Sequence, residues 1–359
     1  MAQPFSQSKA YRDLSLWDFT DLTEDQAREK FALLRWGSTT EMPCPVCGKV
    51  DKHYVRRTRH QWRCKHCDTV FSATTGTPFV KRKIPFKKLL ALIYEFISAP
   101  EGCAANRLHS RLKVTLRTAY QNLMKTREVL WEQRDLSPLK GLVQVDGGHF
   151  CGKPRRPRKR AQATSTIVNN KLRNRKAGMV PIGKNSHIEP WNLKKLENRR
   201  VVLTLRQASP TPGMGAERTI VAIVMNESAS SVIPVIRKHV DVSSEIWSDD
   251  GHAYVRLSAW FTHRTVRHSK EYATDDGVNN NQAECYFGRM RRGEYGVYHG
   301  MRSPYLAFYA NEFAWRGDVK WMTLGEKFAN LMQKIFKCVP SRAWQGYAQG
   351  HRLGFEYLG

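Results

Sequence analysis

Four cysteines form two Cys-x-x-Cys pairs, Cys44 with Cys47 and Cys64 with Cys67, separated by sixteen residues. Each pair can direct two thiolates at one ion, and two pairs complete a tetrahedral Zn²⁺ site. Because four thiolates leave no open coordination position, we predict a structural zinc and not a catalytic one. The remaining cysteines have no partner at ligand spacing and are predicted to be isolated thiols.

A second set of potential ligands consists of three carboxylates. Asp146 ends the apolar segment LVQVD, Asp249 follows Ile246-Trp247, and Glu284 opens a predicted helix. Carboxylates are hard oxygen ligands suited to Mg²⁺ or Mn²⁺, and a pair of such ions can serve phosphoryl transfer. Each acid alone is better explained as a cap or a salt bridge, so the prediction depends on the three together.

The chain is strongly basic, with 59 Lys and Arg against 32 Asp and Glu in 359 residues, a net charge of +27. A hydrophobic content of 41% is typical of a globular protein. The charge argues against an ordinary neutral metabolic enzyme and favours a polyanion partner, above all nucleic acid. The sequence shows no apolar leader and no spanning segment of about 20 residues, so we expect a cytoplasmic, nucleoid-associated protein without a membrane partner.

The segment 84–135 is predicted to be helical, with helices at about 86–98, 103–111 and 116–132. Thr115 can cap the last helix, which follows a tight turn. Two helices in this arrangement resemble a helix-turn-helix, whose second helix enters the DNA major groove. The alternative is a plain helical bundle that connects two domains. The polar residues on the last helix are Arg117, Gln121, Lys125 and Arg127, of which the first three are our predicted DNA contacts.

Apolar runs typical of buried strands follow at 142–146, 199–207, 218–226, 245–250 and 262–268, with a helix at 230–240. Another helix is predicted at about 280–292, and more helices lie towards the C-terminus. This order predicts an α/β fold with a mixed sheet, including possible hairpins among the first three strands.

A basic insert at 152–200 does not fit a compact layer. Residues 152–206 carry 16 Lys and Arg against two Glu. We predict an arm that binds DNA phosphates, and the alternative is a solvated insert without a specific role. The densest part contributes five predicted DNA contacts: Arg155, Arg156, Arg158, Lys159 and Arg160.

Several segments together resemble the bacterial DDE-type insertion-sequence transposases of the ISXO2-like family, which carry an N-terminal zinc ribbon. The segments are CPVC…CKHC, FSATTGTPF, VDGGHFCGK, SDDGHAY and NNQAECYFGRMRRGEYGVYHG. The last is the most specific, because Asn281 stands three residues before Glu284 and basic residues follow. In one departure, Gly147 and Gly148 follow the first aspartate, where the family usually has an acid.

The resemblance implies a ribonuclease-H-like catalytic fold and metal-dependent cutting and joining of DNA ends. By position, Asp146 and Asp249 are the first two metal ligands. Glu284 is our predicted third ligand, with Asn281 as the alternative or as a neighbour of the ligands. Four basic residues are predicted to hold scissile phosphates, although a solvated helix face is the alternative: Lys270, Arg289, Arg291 and Arg292.

We divide the chain into five parts: a helical N-terminal segment (1–40), the zinc ribbon (41–78), the helix-turn-helix-like domain (84–135), the ribonuclease-H-like catalytic domain (140–315) and a C-terminal helical segment (316–359).

We predict a DNA transposase that binds the terminal inverted repeats of an insertion sequence and uses water to free a 3′-hydroxyl. That hydroxyl then attacks a phosphodiester of the target DNA in line and joins the two DNAs as the target's 3′-oxygen leaves. The partner is double-stranded DNA, and pairing two ends requires at least a dimer. Two alternatives are a domesticated zinc-ribbon regulator with an inert α/β layer, and a ribonuclease-H-like nuclease that cleaves without joining.

Overall fold

The computed structural model describes residues 4–51, 53–151, 180–181, 187–188, 198–211, 213–266, 273–274 and 276–359. Most of the basic insert, with its five predicted arginine and lysine contacts, lies outside these ranges. Lys270 also lies outside the described residues.

The N-terminal part consists of two helices and a small ribbon. Helices α1 (Trp17–Thr20) and α2 (Glu24–Trp36) come first. Thr23 caps α2, since its hydroxyl accepts from the Gln26 amide and the Gln26 side chain accepts from the Thr23 amide, as in a capping box. The ribbon strands that follow are β1 (Met42–Pro43), β2 (Val50–Asp51), β3 (Tyr54–Arg56), β4 (Gln61–Arg63) and β5 (Val70–Phe71).

Three helices follow close to their predicted positions: α3 (Phe86–Ser98), α4 (Ala105–Arg111) and α5 (Leu116–Glu132). The predicted cap is present, since the Thr115 hydroxyl accepts from the Thr118 amide at 3.1 Å. These helices share one apolar core with α2 and with the last long helix of the chain, so the α4–α5 pair is part of a bundle.

The strands of the catalytic layer are β6 (Leu142–Phe150), β9 (Arg200–Ala208), β10 (Ala216–Val224), β11 (Glu245–Asp249) and β12 (Thr262–Val266). The short strands β7 (Val180–Pro181) and β8 (His187–Ile188) form a separate pair. The helices are α6 (Ala229–His239), α7 (Asn281–Arg292), α8 (Leu306–Asp318) and α9 (Leu324–Lys337), and a π-helical turn at Gly293–Tyr298 extends α7.

The main sheet has the order β10-β9-β6-β11-β12. Strands β6, β9 and β10 are antiparallel neighbours, as the predicted hairpins require, whereas β6, β11 and β12 run parallel. This mixed α/β sheet is consistent with a ribonuclease-H-like domain and confirms the predicted fold class. One strand boundary was wrong: β6 does not end at Asp146 but continues to Phe150, because β9 pairs with it over that whole length.

Helices cover both faces of the sheet. Val143 and Val145 of β6 share a core with α6, whereas Phe150 belongs to a second core with α7 and α8. Because side chains alternate along a strand, Asp146 is on the α7 side and Gly147 is on the α6 side.

A buried ion pair joins the helical bundle to the catalytic layer. Arg127 of α5 is 1% exposed and donates from Nε to Oε2 of Glu312 on α8 at 2.6 Å. Arg316 and Tyr298 also bind Glu312. Arg127, one of the polar residues that suggested a DNA-reading helix, is therefore not accessible to DNA, and that part of the interpretation was wrong.

Candidate active site and metal centres

The four cysteines of the ribbon come together as the spacing predicts. Their Sγ atoms all lie within 4.8 Å of one another, with Cys44–Cys67 at 3.5 Å and Cys47–Cys64 at 3.6 Å. A tetrahedral zinc with Zn–S bonds of about 2.3 Å requires sulfurs about 3.7 Å apart. The donor set and its spacing therefore fit Zn²⁺.

The two cysteine pairs have matching backbone turns. Gly48 donates to the Cys44 carbonyl at 2.9 Å, and Asp68 donates to the Cys64 carbonyl at 3.1 Å. Both donors have left-handed backbones, with φ of 69° and 57° respectively. Each half of the site is thus formed by a local turn of the chain.

Two parallel central strands bring the first two carboxylates together. Val145 of β6 is the register partner of Ser248 of β11, so Asp146 and Asp249 follow at neighbouring positions on adjacent strands. The pairing of β6 with β11 ends here, while β6 continues along β9. The two aspartates therefore lie where the parallel strands separate, a place where side chains of different strands can converge.

Burial and neighbouring acids change the chemistry of Asp146. Its pKa is raised to about 7, first by burial, then by the charge of Asp249, with smaller contributions from Glu227 and Glu284. The Gly147 amide donates to Asp146 Oδ1 at 2.8 Å and opposes this shift. Such a concentration of negative charge is typical of a cation-binding site.

Gln144 fixes the start of the helix that carries Glu284. This residue is 3% exposed and lies two positions before Asp146 on the same face of β6. Its Oε1 accepts from the Gln282 amide at 2.8 Å, and its Nε2 donates to Asn279 Oδ1 at 3.2 Å. The first turn of α7 is thereby tied to the strand of the first aspartate.

Gly148 lets α7 approach this strand closely. A Cβ atom at this position would lie 2.5 Å from Cδ1 of Phe287, which follows Glu284 by about one helical turn. Any other residue at 148 would therefore push α7 away from the sheet and displace Glu284 from the aspartates.

The structure places both candidates for the third ligand, Glu284 and Asn281, on the exposed side of α7 near its start. The residue between the loop and the helix, Asn280, is fully buried, and its Nδ2 donates to the Val145 carbonyl at 3.4 Å. Its Oδ1 has no hydrogen-bond partner among the residues that the structure describes. Sequence reasoning missed Asn280, because nothing in the run Asn279-Asn280-Asn281 marks which amide turns inward.

A fourth acid, Glu227, was also missed. It lies in the loop between β10 and α6, where its Oε1 accepts from the Tyr254 hydroxyl at 2.8 Å and its Oε2 lies 3.5 Å from His149 Nε2. Burial and the charge of Asp249 raise its pKa, against the bond from Tyr254. The segment MNESAS around it carries no motif that could have identified it.

The carboxylates fit a hard cation such as Mg²⁺ or Mn²⁺ in chemical type. Among the described residues, only the four cysteines bring three or more metal-binding side chains within 4.8 Å of one another. The acidic site is thus more open than the zinc site. An open arrangement suits Mg²⁺, which retains several waters and binds through few carboxylates.

The predicted DNA contacts on α5 line a cleft of about 800 Å³. Arg117 donates to the Ala348 carbonyl at 3.3 Å, Gln121 donates to the Trp344 carbonyl at 2.9 Å, and Lys125 is partly buried. The C-terminal segment therefore forms one wall of this cleft, and the loop at 75–84 forms another.

The basic residues of α7 differ in their surroundings. Arg291 and Arg292 are exposed, and Arg292 Nε lies 3.4 Å from Oε1 of Glu101, whereas Arg289 is partly buried. The guanidinium of Arg291 lies 5.9 Å from the ring centre of Phe287. All three arginines lie on α7, the helix that carries Glu284.

Comparison with known families agrees with this architecture. Residues 138–318 match the ISXO2-like transposase domain, and residues 22–70 match the transposase zinc-ribbon domain. No curated protein matches the chain significantly. None of the helices in the described ranges is long and apolar enough to cross a membrane. Because the transposase domain spans half of the sequence and the zinc-ribbon domain precedes it, the chain belongs to the ISXO2-like family of DNA transposases.

Proposed function

We propose that this transposase binds the terminal inverted repeats of an insertion sequence and catalyses metal-dependent strand cleavage followed by strand transfer. The observation that supports the chemistry best is the register of β6 and β11, in which Val145 pairs with Ser248 and the next positions are Asp146 and Asp249. Glu284 on α7 adds the third carboxylate.

These carboxylates would hold Mg²⁺ or Mn²⁺, which when bound activates the attacking oxygen and stabilises the leaving oxygen. The chain's own residues perform the positioning. Gln144 and Gly148 hold α7 against β6, so that Glu284 faces the site from the helix. The arginines of the same helix bind phosphates on either side of the scissile bond, since guanidinium groups match phosphate oxygens in geometry and charge.

DNA recognition belongs to the N-terminal parts of the chain. The zinc ribbon and the α4–α5 pair bind the terminal repeats, with Arg117, Gln121 and Lys125 facing the cleft beside α5. The basic insert adds contacts to DNA phosphates, which the net charge of +27 favours. Two ends are paired by at least two copies of the chain, so sedimentation with repeat DNA is expected to give a dimer or a larger assembly.

The main test is a cleavage and strand-transfer assay on DNA from the flanks of this gene, with Mg²⁺ or Mn²⁺. We expect the wild type to nick and join, and Asp249→Asn to bind DNA normally without doing either. The matched control is Asp250→Asn, because Asp250 is the exposed neighbour of Asp249 and should retain activity. Equal activity in Asp249→Asn and wild type contradicts the proposal.

The same assay separates the alternatives. Cleavage without joining identifies a nuclease, and tight binding without cleavage identifies a regulator. For the third ligand, we expect Glu284→Gln to abolish cleavage and Asn281→Ala to retain a measurable part of it. The opposite result assigns the third position to Asn281.

A further inference from the structure

We propose that Glu227 is a fourth functional carboxylate, which strengthens cation binding at Asp146 and Asp249 as a positioning residue and not as a direct ligand. This inference rests on the proposed function, because it assigns a residue to the same metal site. It also explains why a glycine stands directly after the first aspartate.

The space beside Gly147 is occupied by the Glu227 carboxylate. A Cβ atom on residue 147 would lie 2.5 Å from Glu227 Cδ and 2.9 Å from its Oε2. Gly147 has no left-handed backbone that would demand glycine, and the Glu227 carboxylate occupies the space that a side chain at this position would enter. The loop after β10 thus delivers an acid to the place where a side chain at 147 would otherwise begin.

The partners of Glu227 hold it in place without neutralising it. Tyr254, which is 1% exposed, donates its hydroxyl to Oε1 at 2.8 Å. His149 Nε2 lies 3.5 Å from Oε2, and the pKa of His149 is lowered, first by burial and then by Arg199 and Arg291. In the described part of the chain, Glu227 forms no ion pair with a lysine or an arginine.

The charge of Glu227 lies near the two aspartates, Asp146 and Asp249. Tyr254, the donor to Glu227, lies beside Gly251, where a Cβ atom would be 3.4 Å from Tyr254 Cδ2 and 3.0 Å from Asp249 Oδ1. Without a cation these carboxylates repel one another, and a divalent ion relieves that repulsion. Because Mg²⁺ keeps several of its waters, a carboxylate beside the ligands would act by accepting hydrogen bonds from those waters.

The experiment measures Mn²⁺ binding to the full-length, zinc-loaded protein by electron paramagnetic resonance, with the melting temperature of the same zinc-loaded protein without Mn²⁺ as a second readout. Glu227→Gln keeps an oxygen to accept from Tyr254 but removes the charge. We expect its Mn²⁺ dissociation constant to rise about tenfold. Its melting temperature without Mn²⁺ should stay equal or increase, since one repulsive charge is gone. The control is Glu217→Gln, an exposed glutamate on β10 that should bind Mn²⁺ as the wild type does.

A relocation variant tests the spatial argument. Gly147→Glu alone should weaken Mn²⁺ binding, because its side chain collides with Glu227. The double variant Gly147→Glu with Glu227→Ala moves the carboxylate to the strand and should bind Mn²⁺ more tightly than either single variant. A double variant no better than the singles overturns the inference.

A purely structural Glu227 gives a different pattern from the one proposed. In that case, Glu227→Gln would melt at a lower temperature and bind Mn²⁺ as tightly as the wild type, which overturns the inference. Asp249→Asn separates this failure from a failure of the proposed function. If Asp249→Asn loses Mn²⁺ and Glu227→Gln does not, only the role of Glu227 is wrong. If Asp249→Asn also binds normally, the metal site itself is wrong.

Discussion

The zinc site and the acidic site are built in opposite ways. The four zinc ligands come from one segment of 24 residues, Cys44 to Cys67, and two similar local turns aim them at one point. The acids come from two strands, a helix and a loop, spread from Asp146 to Glu284. The first site depends on spacing along the chain, whereas the second depends on strand register and on how closely a helix and a loop approach a strand.

The largest expected effect is the loss of zinc. The ribbon has only a small core around Met42 and Phe71, and structural zinc contributes about 10 kcal/mol or more to the folding of such modules. We expect Cys64→Ser to lose zinc and unfold the ribbon while the catalytic sheet stays folded. Zinc stoichiometry and calorimetry check this, with the exposed Cys285→Ser as the control. A single cooperative transition that includes the sheet would contradict this separation.

The second largest effect concerns the buried ion pair between Arg127 and Glu312, which joins the helical bundle to the catalytic layer. Arg127→Ala leaves Glu312 charged and fully buried beside Arg316. Breaking such a buried pair costs about 3–5 kcal/mol of the free energy of unfolding. Chemical denaturation of the zinc-loaded protein measures it. Arg264→Ala, which removes a more exposed pair with Glu245, should cost at most about 1 kcal/mol. If both variants lose the same free energy of unfolding, the buried pair does not stabilise the contact between the helical bundle and the catalytic layer.

A smaller effect tests the approach of α7 to the sheet. Gly148→Ala forces the new methyl group into Phe287 and should cost about 1–3 kcal/mol of stability, together with a loss of strand cleavage. Gly296→Ala is the matched control, since no atom of the described residues lies within 4 Å of a Cβ there and its backbone is not left-handed. In a double-mutant cycle, Phe287→Ala should relieve part of the Gly148→Ala defect. If Gly148→Ala changes neither stability nor strand cleavage, the close contact between Gly148 and Phe287 is not required.

The smallest effect is a pH dependence of the free energy of unfolding of the zinc-loaded protein without Mg²⁺ or Mn²⁺. Burial and Asp249 raise the pKa of Asp146 to about 7, so the folded protein keeps a proton that the unfolded chain releases near pH 4. The stability that this proton supports is therefore lost as the pH rises through that range, by about 1 kcal/mol between pH 5 and pH 6. Asp146→Asn should remove this part of the slope in urea denaturation. An unchanged slope would mean that Asp146 ionises normally.

Much of the fold could be read from local pattern. Thr115 caps the helix that it was predicted to cap, and the five strands of the sheet lie within a few residues of the predicted runs. The end of β6 was misjudged because the apolar run LVQVD stops at an acid, Asp146. The glycines in fact belong to a continuous strand, and they serve the neighbours packed on its two faces.

The candidate site was predictable only where a residue carries its own signal. Asp146 and Asp249 follow apolar runs, and Glu284 belongs to a recognisable block. Glu227 and Asn280 have no such signal, because their roles depend on contacts with distant parts of the chain.

The sequence by itself determined the zinc site, the fold class and the family, because these depend on short spacings and on the periodicity of apolar residues. Only the tertiary structure decided that Arg127 is buried against Glu312, 185 residues away, and that Glu227 fills the space beside Gly147. The physical reason is that burial and charge depend on partners that sequence distance does not reveal. The type of a side chain limits the groups that it can bind, and tertiary packing determines which of those groups lie close to it.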